Sequence, residues 1–538
     1  MPVADEPLSP DAPAPRSPAS SRRRSALGRW IEDLQGHRAY RRFREQDDRR
    51  RRIRAQLLAV AGALLTMGYI VWLFRVANWH AGWLTYAFLA AEIVSLGLFA
   101  YFFLISWYPR FHRPDGVSPH AEPGVDVFIT ASGEPFAIVE ATLRGAAAIA
   151  YPHKEVYVLD DGGDVRLAGL AAELGVRYLA RRGHEDAKAG NLNYGLSRSR
   201  GELILTLDAD QLPRPDIIRA LIGYFSIPSI GLVQTRQSFS LPKGDPLGNG
   251  DPIFYGIMQA GKDTANAAFS CGSGVMYRRA ALEQVGGFST WNLVEDLHTS
   301  LNLHDAGWRS VYHNHALTQG RAPADIWSVY RQRHQWAADS LRILFWDNPL
   351  FRPGLSWLQR FQYAHLGLVY LYAGFVMPLF YLLPIIALFT GSYVMSTTWW
   401  MYALVRLPSF VVSSLAYQAQ YAIARSEISF GRASNVWLGY FPAFIAATAV
   451  ALTHPRRKPP YTVTGMGPSR RSIAERIVGT LPQWTLIALS LLSIPYALLR
   501  HAGGELDMIL VNAAWALWTV EKLWWICLGA MTGASQQS

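Results

Sequence analysis

The sequence predicts a soluble α/β domain inserted into an α-helical transmembrane domain. Three observations predict it. Half of the 538 residues are hydrophobic and 19 are Trp. Apolar runs near the roughly 20 residues that a bilayer core requires lie towards both ends of the chain. Between Pro109 and about Pro349 no such run occurs, and short strand-like stretches alternate there with helix-like ones.

The elements follow in order. Residues 1–21 are rich in Pro, Ala and Ser and are expected to be disordered. The formal charge of +11 is local in origin, because thirteen arginines lie between Arg22 and Arg54, directly before the first long apolar run. Such a block suits a cytoplasmic anchor on acidic lipid headgroups and not a nucleic-acid binder, so 1–55 is assigned as a basic cytoplasmic N-terminus. No short apolar core with a small-residue cleavage site follows a short basic start, so a signal peptide is not expected. Two cysteines, Cys271 and Cys527, offer neither a disulfide framework nor a cysteine-rich metal site. Spans at 57–74 and 82–105 form a two-helix unit, 56–108. The α/β domain is 109–349, with "VDVFIT", "EVYVLD" and "ELILTLD" as strands and "VRLAGLAAELG" as a helix. Interfacial helices and two spans, 368–391 and 398–421, occupy 350–453. A basic loop segment covers 454–475, two further spans (481–499 and 507–528) lie in 476–530, and 531–538 is a tail. No internal repeat of 20 to 50 residues is present.

Parity selects among these runs. If the α/β domain and the basic loop "HPRRKPPYTVTGMGPSRR" share the positive-inside face, an even number of spans separates them, yet three apolar runs do. The run 436–453, with Pro442 and an Ala-rich half, is therefore expected along the interface. That leaves six spans, with the domain and both termini cytoplasmic.

The chemistry-bearing residues gather at strand ends. Asp208 and Asp210 close "LILTLDAD" one residue apart, so on an extended strand they share a face, where open α/β sheets bind ligands. Two acids on one face fit a hard divalent cation, Mg²⁺ or Mn²⁺, shared with substrate phosphates; alone, the pair reads equally as a solvated strand end. "EVYVLDDGGD" ends in Asp160 and Asp161 before two glycines, and "DAKAGNLNYG" brings Lys188, a cation suited to a diphosphate. "FSCGSG", "LVEDLHTS" and "RQRHQW" follow.

This succession resembles the family 2 glycosyltransferases, and within them the catalytic subunits of bacterial cellulose synthases. The resemblance runs from about 124 to 471 and includes "GVDVFITASGEP", "GELILTLDADQLPRPD", "GLVQTRQSF", "FSCGSGVMYRRAALEQVGGF", "VEDLHTSLNLHDAGW" and "NPLFRPGLSWLQRFQY" in order. It implies a GT-A α/β domain with a mixed, mostly parallel sheet. It implies that Glu134, Asp160 and Asp161 hold the uridine end of a nucleotide-sugar, that Lys188 contacts the diphosphate, and that Asp208 and Asp210 carry Mg²⁺ or Mn²⁺. Asp296 matches the general base, with a helix N-terminal acid as the plainer reading. Gln332 and Trp336 match the ends of the Gln-x-x-Arg-Trp signature, with Gln335 at its fourth position; Gln332 and Gln335 fall on the donor side, and Trp336 offers a stacking face to the terminal sugar, or else serves as an interfacial Trp. Glu295 and Cys271 fall on the acceptor side, although a buried Cys is commonly packing. Tyr461, Val463 and Thr464 match a gating loop.

Three positions depart from the pattern. Gln335 stands where the family has arginine, Met466 where its gating loop has lysine, and Ser132 where an aromatic commonly stacks on the base. Each weakens the grip on a nucleotide. The implied function is a processive inverting transferase that polymerises a UDP-hexose, UDP-glucose first, and passes a β-glucan across a bacterial inner membrane, with Trp399, Trp400 and Tyr402 along the sugar path or in an interfacial belt. The alternatives are transfer to a lipid-linked acceptor and a catalytically weakened partner in an export complex. A UDP-sugar, a growing polysaccharide and the bilayer are the expected partners, an export subunit outside the membrane is compatible, and nucleic acid is excluded. The chain ends about ten residues past its last apolar run, so control through an appended PilZ domain is not expected.

Overall fold

The computed structural model describes residues 38–112, 116–119, 121–292, 295–323, 325–423, 430–455, 472–501, 503 and 505–532, with side chains from 48 onwards. Met1–Arg51 and Arg52–Ser538 are two compact units, and every strand among the described residues belongs to the second.

Among the described residues ten strands form two sheets: β1 Val125–Ala131, β2 Lys154–Asp160, β3 Arg177–Ala180, β4 Leu203–Asp208, β5 Leu212–Pro213, β6 Ile230–Arg236, β7 Phe239–Ser240, β8 Val275–Arg278, β9 Arg309–Ala316 and β10 Thr318–Arg321. The large sheet has the order β3-β2-β1-β4-β8-β6-β9, and the small one β5-β10-β7. β3, β2, β1 and β4 run parallel, joined by the helices Phe136–Ala147, Val165–Leu174 and Ala187–Leu196. β8 is antiparallel to both neighbours, and β6 and β9 return to parallel pairing. The sheet is thus mixed and mostly parallel, as expected. Every residue of β1 and all of β4 before Asp208 are buried, because strands covered on both faces read as continuous apolar runs.

The chain winds from β1 out to β3 on one side and places β4 on the other. The strand order therefore reverses between β1 and β4, which opens a crevice at their carboxyl ends. Register fixes what stands there: Ala131 pairs with Asp160, and Thr130 with Asp208. One correction concerns the acid pair. β4 ends at Asp208, and the Gln211 N–H donates to the Asp208 carbonyl at 3.1 Å, so Asp210 sits in a turn and strand alternation does not put the two acids on one face.

Among the described residues four helices are long and apolar enough, by length and composition, to cross a membrane: Asp48–Val76, Trp83–Ile105, Trp357–Thr390 and Leu481–Arg500. The count is five if Phe430–Leu438 and Phe441–Thr453, bent by 47°, are one span. The bend falls where the run 436–453 is expected at the interface. The two other expected spans coincide with the helices Trp399–Ile423 and Leu506–Thr532. Both are long, and Arg406 in one and Glu521, Lys522 and four Trp in the other dilute their hydropathy.

The α/β domain is tied to the membrane-type helices through a buried cation. Lys262 is fully buried and donates to the Gln362 carbonyl, while the Gln362 amide donates to the Ile105 carbonyl at 3.2 Å, at the end of the helix Trp83–Ile105. Burial without a carboxylate pushes the Lys262 ammonium down to about 7.

Candidate active site

Glu134, Asp160 and Asp208 stand at the ends of three adjacent strands, and each is held differently. Asp160 is buried and its two oxygens already accept four bonds: from the N–H groups of Gly162 (2.7 Å), Gly163 (3.1 Å) and Asp164 (2.8 Å), and from the Tyr178 hydroxyl (2.8 Å). Its carboxylate shapes the β2 turn and has little capacity left for a base. Asp161 accepts a bidentate pair from Arg181, at 2.6 and 2.7 Å, and keeps one lone pair on each oxygen. Sequence reasoning missed both Tyr178 and Arg181, which lie 18 and 20 residues from their partners with no motif to mark them. Glu134 accepts from the Ser132 N–H at 2.6 Å, and burial, with Asp208 and Asp160 nearby, pushes its carboxyl up.

The centre of the crevice is built around Lys188. Its ammonium lies 2.6 Å from Asp208 Oδ1 and 3.0 Å from Glu295 Oε1, and donates to the Gly272 carbonyl at 3.0 Å. The expected diphosphate ligand is thus paired with the carboxylates. Burial disfavours its charge, but Asp208, Glu295 and Asp296 outweigh burial and hold the ammonium well above the usual lysine range.

The loop Phe269–Gly274 brings the acceptor side in. The Asp208 N–H donates to Ser273 Oγ at 2.9 Å, Ser270 N–H to Ser300 Oγ at 2.9 Å, and Ser300 Oγ to the Asp296 carbonyl at 2.8 Å. β4, the loop and the helix Glu295–Asp305 are therefore one hydrogen-bonded unit. Gly272 has φ +82°, and a Cβ built on it would lie 3.0 Å from Lys188 Nζ and 3.2 Å from Asp296 Oδ2. The ammonium and the expected base thus face one small space, which a side chain would fill. Gly272→Ala combines that clash with a left-handed backbone costing about 1–3 kcal/mol. We expect turnover to fall at least about tenfold, as initial rates of UDP release would record.

Asp296 sits in the first turn of its helix, and its Oδ1 accepts from the Leu297 N–H at 2.6 Å. Burial and the neighbouring Glu295 push its carboxyl well above the ordinary range, against the pull of Lys188. Cys271 lies at the same edge: its N–H donates to Gln234 Oε1 at 2.6 Å and its sulfur accepts from Gln259 at 3.2 Å. Burial and Asp296 raise the thiol, so it is no nucleophile.

The signature helix is Ile326–Trp346, with Gln335 buried and Gln332 and Trp336 half-buried. Arg333 does not supply the missing charge at the site. It pairs with Asp251 at 2.9 Å, donates to the Gly248 carbonyl at 2.9 Å and lies over the Trp336 ring at 4.9 Å. Tyr461, Val463, Thr464 and Met466 lie outside the described residues.

Asp208 and Asp210 supply oxygen donors of the kind a hard divalent cation takes, and burial, with Asp208 and Glu134 beside it, pushes Asp210 up to about 7. Charge crowding of that kind is what a cation relieves. Among the described residues no three His, Cys, Asp or Glu side chains surround one point, so such a cation would complete its shell with diphosphate and water.

Two cavities lie among the membrane-type helices, and the first of them reaches the domain. One of about 430 Å³ is lined by Asp251 and Phe254 of the domain and by Glu92, Tyr370, Arg406 and Trp515 of the helices. Phe254 packs on Phe269, at the root of the Gly272 loop, with ring centroids 5.7 Å apart. A second, of about 510 Å³, is lined by Trp399, Tyr402, Arg406, Trp515 and Trp518. Trp400 is 51% exposed.

The domain thus offers a nucleotide-type crevice at the reversal of a mixed sheet, with acids on its rim, and residues 123–338 match the family model described as glycosyltransferase like family 2. Residues 283–438 match the model described as cellulose synthase, across the last strands and into the membrane-type helices. Cellulose synthase 1 of Komagataeibacter xylinus is 31% identical over 500 residues, 86% of this chain and 31% of that protein. The UDP-forming cellulose synthase catalytic subunit of Pseudomonas fluorescens (strain SBW25) is 31% identical over 377 residues, 66% of this chain and 51% of that protein. The chain thus spans between about a third and a half of the length of these curated relatives. A solved mannosyltransferase from Pyrobaculum calidifontis, in complex with GDP-Man and Mn²⁺, superimposes on 69% of this chain and 99% of its own with 18% identity and a TM-score of 0.49.

Proposed function

We propose that the chain is an inverting, processive glucosyltransferase of the cellulose-synthase type. It extends a β-glucan from UDP-glucose and feeds the polymer between its own membrane helices. The observation that carries this reading is the cluster Lys188, Asp208, Glu295 and Asp296 in the crevice between β1 and β4, around one space bounded by Gly272.

In this reading the donor lies across the crevice with its uridine end towards Asp161 and Glu134, and Lys188 turns from Asp208 towards the diphosphate. Asp208 and Asp210 would hold Mg²⁺ or Mn²⁺, which when bound would offset the charge of the leaving nucleoside diphosphate. The acceptor hydroxyl gives its proton to Asp296 while its oxygen attacks the anomeric carbon. The new C–O bond forms as the bond to the diphosphate breaks, UDP leaves with that electron pair, and the configuration inverts because no covalent intermediate forms. A carboxyl held above its ordinary range is a stronger base than a free aspartate, which suits this step. Gln332 and Gln335 would serve the donor and Cys271 the acceptor, with Trp336 stacking on the terminal sugar. The domain and both termini face the cytoplasm, and the cavity shared by Asp251, Phe254 and Trp515 supports a polymer path out of the domain.

Solubilised protein given radiolabelled UDP-glucose with Mg²⁺ or Mn²⁺ tests the reading. Label retained on filters as polymer is the expected result. Label extracted into organic solvent would replace it with transfer to a lipid-linked acceptor, and no UDP release from any of several UDP-sugars would leave a scaffold in an export complex.

A further inference from the structure

The helix Glu295–Asp305, which carries the base of the proposed reaction, is locked to the loop behind it along one face. His298, Asn302 and Asp305 recur at the spacing of successive turns. All three meet the segment Asp347–Gly354, which follows the signature helix. His298 Nε2 lies 2.8 Å from Asp347 Oδ2, Arg352 donates to Asn302 Oδ1 at 3.1 Å and to Asp305 Oδ2 at 2.9 Å, and the Gly354 N–H donates to Asp305 Oδ1 at 2.8 Å. Arg352 also pairs with Asp347. Burial raises the Asp347 carboxyl, but His298 and Arg352 outweigh it and hold the group at about 2, so the acceptor of the histidine proton is always ionised.

The other ring nitrogen faces the opposite way along the chain. His298 Nδ1 lies 2.6 Å from Ser289 Oγ, and that hydroxyl oxygen accepts from the Trp291 N–H at 3.3 Å. With the imidazole neutral, Nε2–H donates to Asp347 and Nδ1 accepts from the Ser289 hydroxyl, so every polar atom of the chain is used. Trp291 closes it. Its ring lies 4.8 Å from the imidazole at 39° and carries the Arg342 guanidinium at 4.3 Å, while Arg342 donates to the Trp291 carbonyl and to Asn292 Oδ1, both at 2.9 Å. The succession Ser289, His298, Asp347 is that of a nucleophile, a base and an acid. Here the imidazole is buried beneath Trp291 and Asp347 is shared with Arg352, which makes the arrangement a clamp.

We propose that His298 is a positioning residue for glycosyl transfer: by bridging Ser289 and Asp347 it fixes the first helical turn, and with it the Asp296 carboxylate two residues away. The inference rests on the function proposed above. A base displaced by about 1 Å costs on the order of 100-fold in rate without touching the donor. His298→Ala, which removes both bonds, lowers kcat about 10- to 100-fold and leaves KM for UDP-glucose and the affinity for UDP within about twofold. His298→Gln can still reach Asp347 and His298→Asn can still reach Ser289, so each restores part of kcat, and this pair carries the test if the alanine variant does not fold.

Parallel losses of kcat, UDP affinity and melting temperature in all three would show a general packing role and overturn the inference, as would unchanged kcat in His298→Ala. Wild-type protein that releases no UDP from any UDP-sugar overturns the functional reading first, and this one with it.

Discussion

Asp296→Asn lowers turnover by about 10²- to 10⁴-fold and leaves the affinity for UDP near that of the wild type. The substitution keeps the size of the side chain and the bond from the Leu297 N–H to Oδ1, so the helix start is undisturbed. What it removes is a group that can take a proton. The neighbours decide how clean the result is. Lys188 bridges Asp208 and Glu295, so the cation and two of its acids remain in place when Asp296 becomes neutral. Removing one charge also relieves Glu295, which crowds Asp296. The donor side therefore keeps its ammonium and the two carboxylates paired with it, and initial rates of UDP release should separate from calorimetric UDP binding. The pH profile gives a second reading. Burial and Glu295 raise the Asp296 carboxyl, so the wild-type rate falls as pH drops through that raised value and the base becomes protonated. In the asparagine variant that acidic limb disappears. Near-normal turnover in Asp296→Asn would remove the base assignment and leave the crevice a binding site without its proton acceptor.

The strands and their acidic ends were legible in the sequence because burial on both faces leaves a continuous apolar run that stops abruptly at a charge. β1, β2 and β4 stand where "VDVFIT", "EVYVLD" and "ELILTLD" place them, and their ends bring Asp160 and Asp208 to one edge. Local alternation, by contrast, misplaced Asp210, since a turn can begin inside a motif that reads as strand. Partners distant in sequence were invisible for a different reason. Arg181 meets Asp161 only because β3 lies parallel beside β2, and Asp347 meets His298 across 49 residues, two strands and a helix. No periodicity encodes such contacts. The pairing of Lys188 with Asp208 and Glu295 was equally hidden, because a free lysine and a lysine between two carboxylates look identical in a sequence. The membrane segments show the converse difficulty: 398–421 and 507–528 form long helices whose arginine, glutamate, lysine and tryptophans blur the hydropathy that marks a span.

The second large effect concerns the cation. Asp210→Ala removes one of two carboxylates available to Mg²⁺ or Mn²⁺, and the metal-dependent part of UDP binding is expected to fall by at least about 100-fold, beyond what loss of an outer-shell partner costs. The sign of the pH dependence follows from the acids themselves. Burial first, and then Asp208 and Glu134, raise Asp210 from 3.8 to about 7; Asp208 and Glu134 are raised by burial as well. Between those values the folded protein binds more protons than the unfolded chain, so without a divalent ion stability falls as pH rises through the window. A cation that takes the place of those protons reverses the loss. The rise in melting temperature produced by Mn²⁺ should therefore grow from about pH 5 to about pH 8, and growth of this kind should be largely absent in Asp210→Ala. Equal stabilisation by Mn²⁺ at both ends of that range would mean that the ion binds elsewhere. In that case Lys188, already 2.6 Å from Asp208, would be the cation that the site uses, and donor binding would be insensitive to chelators.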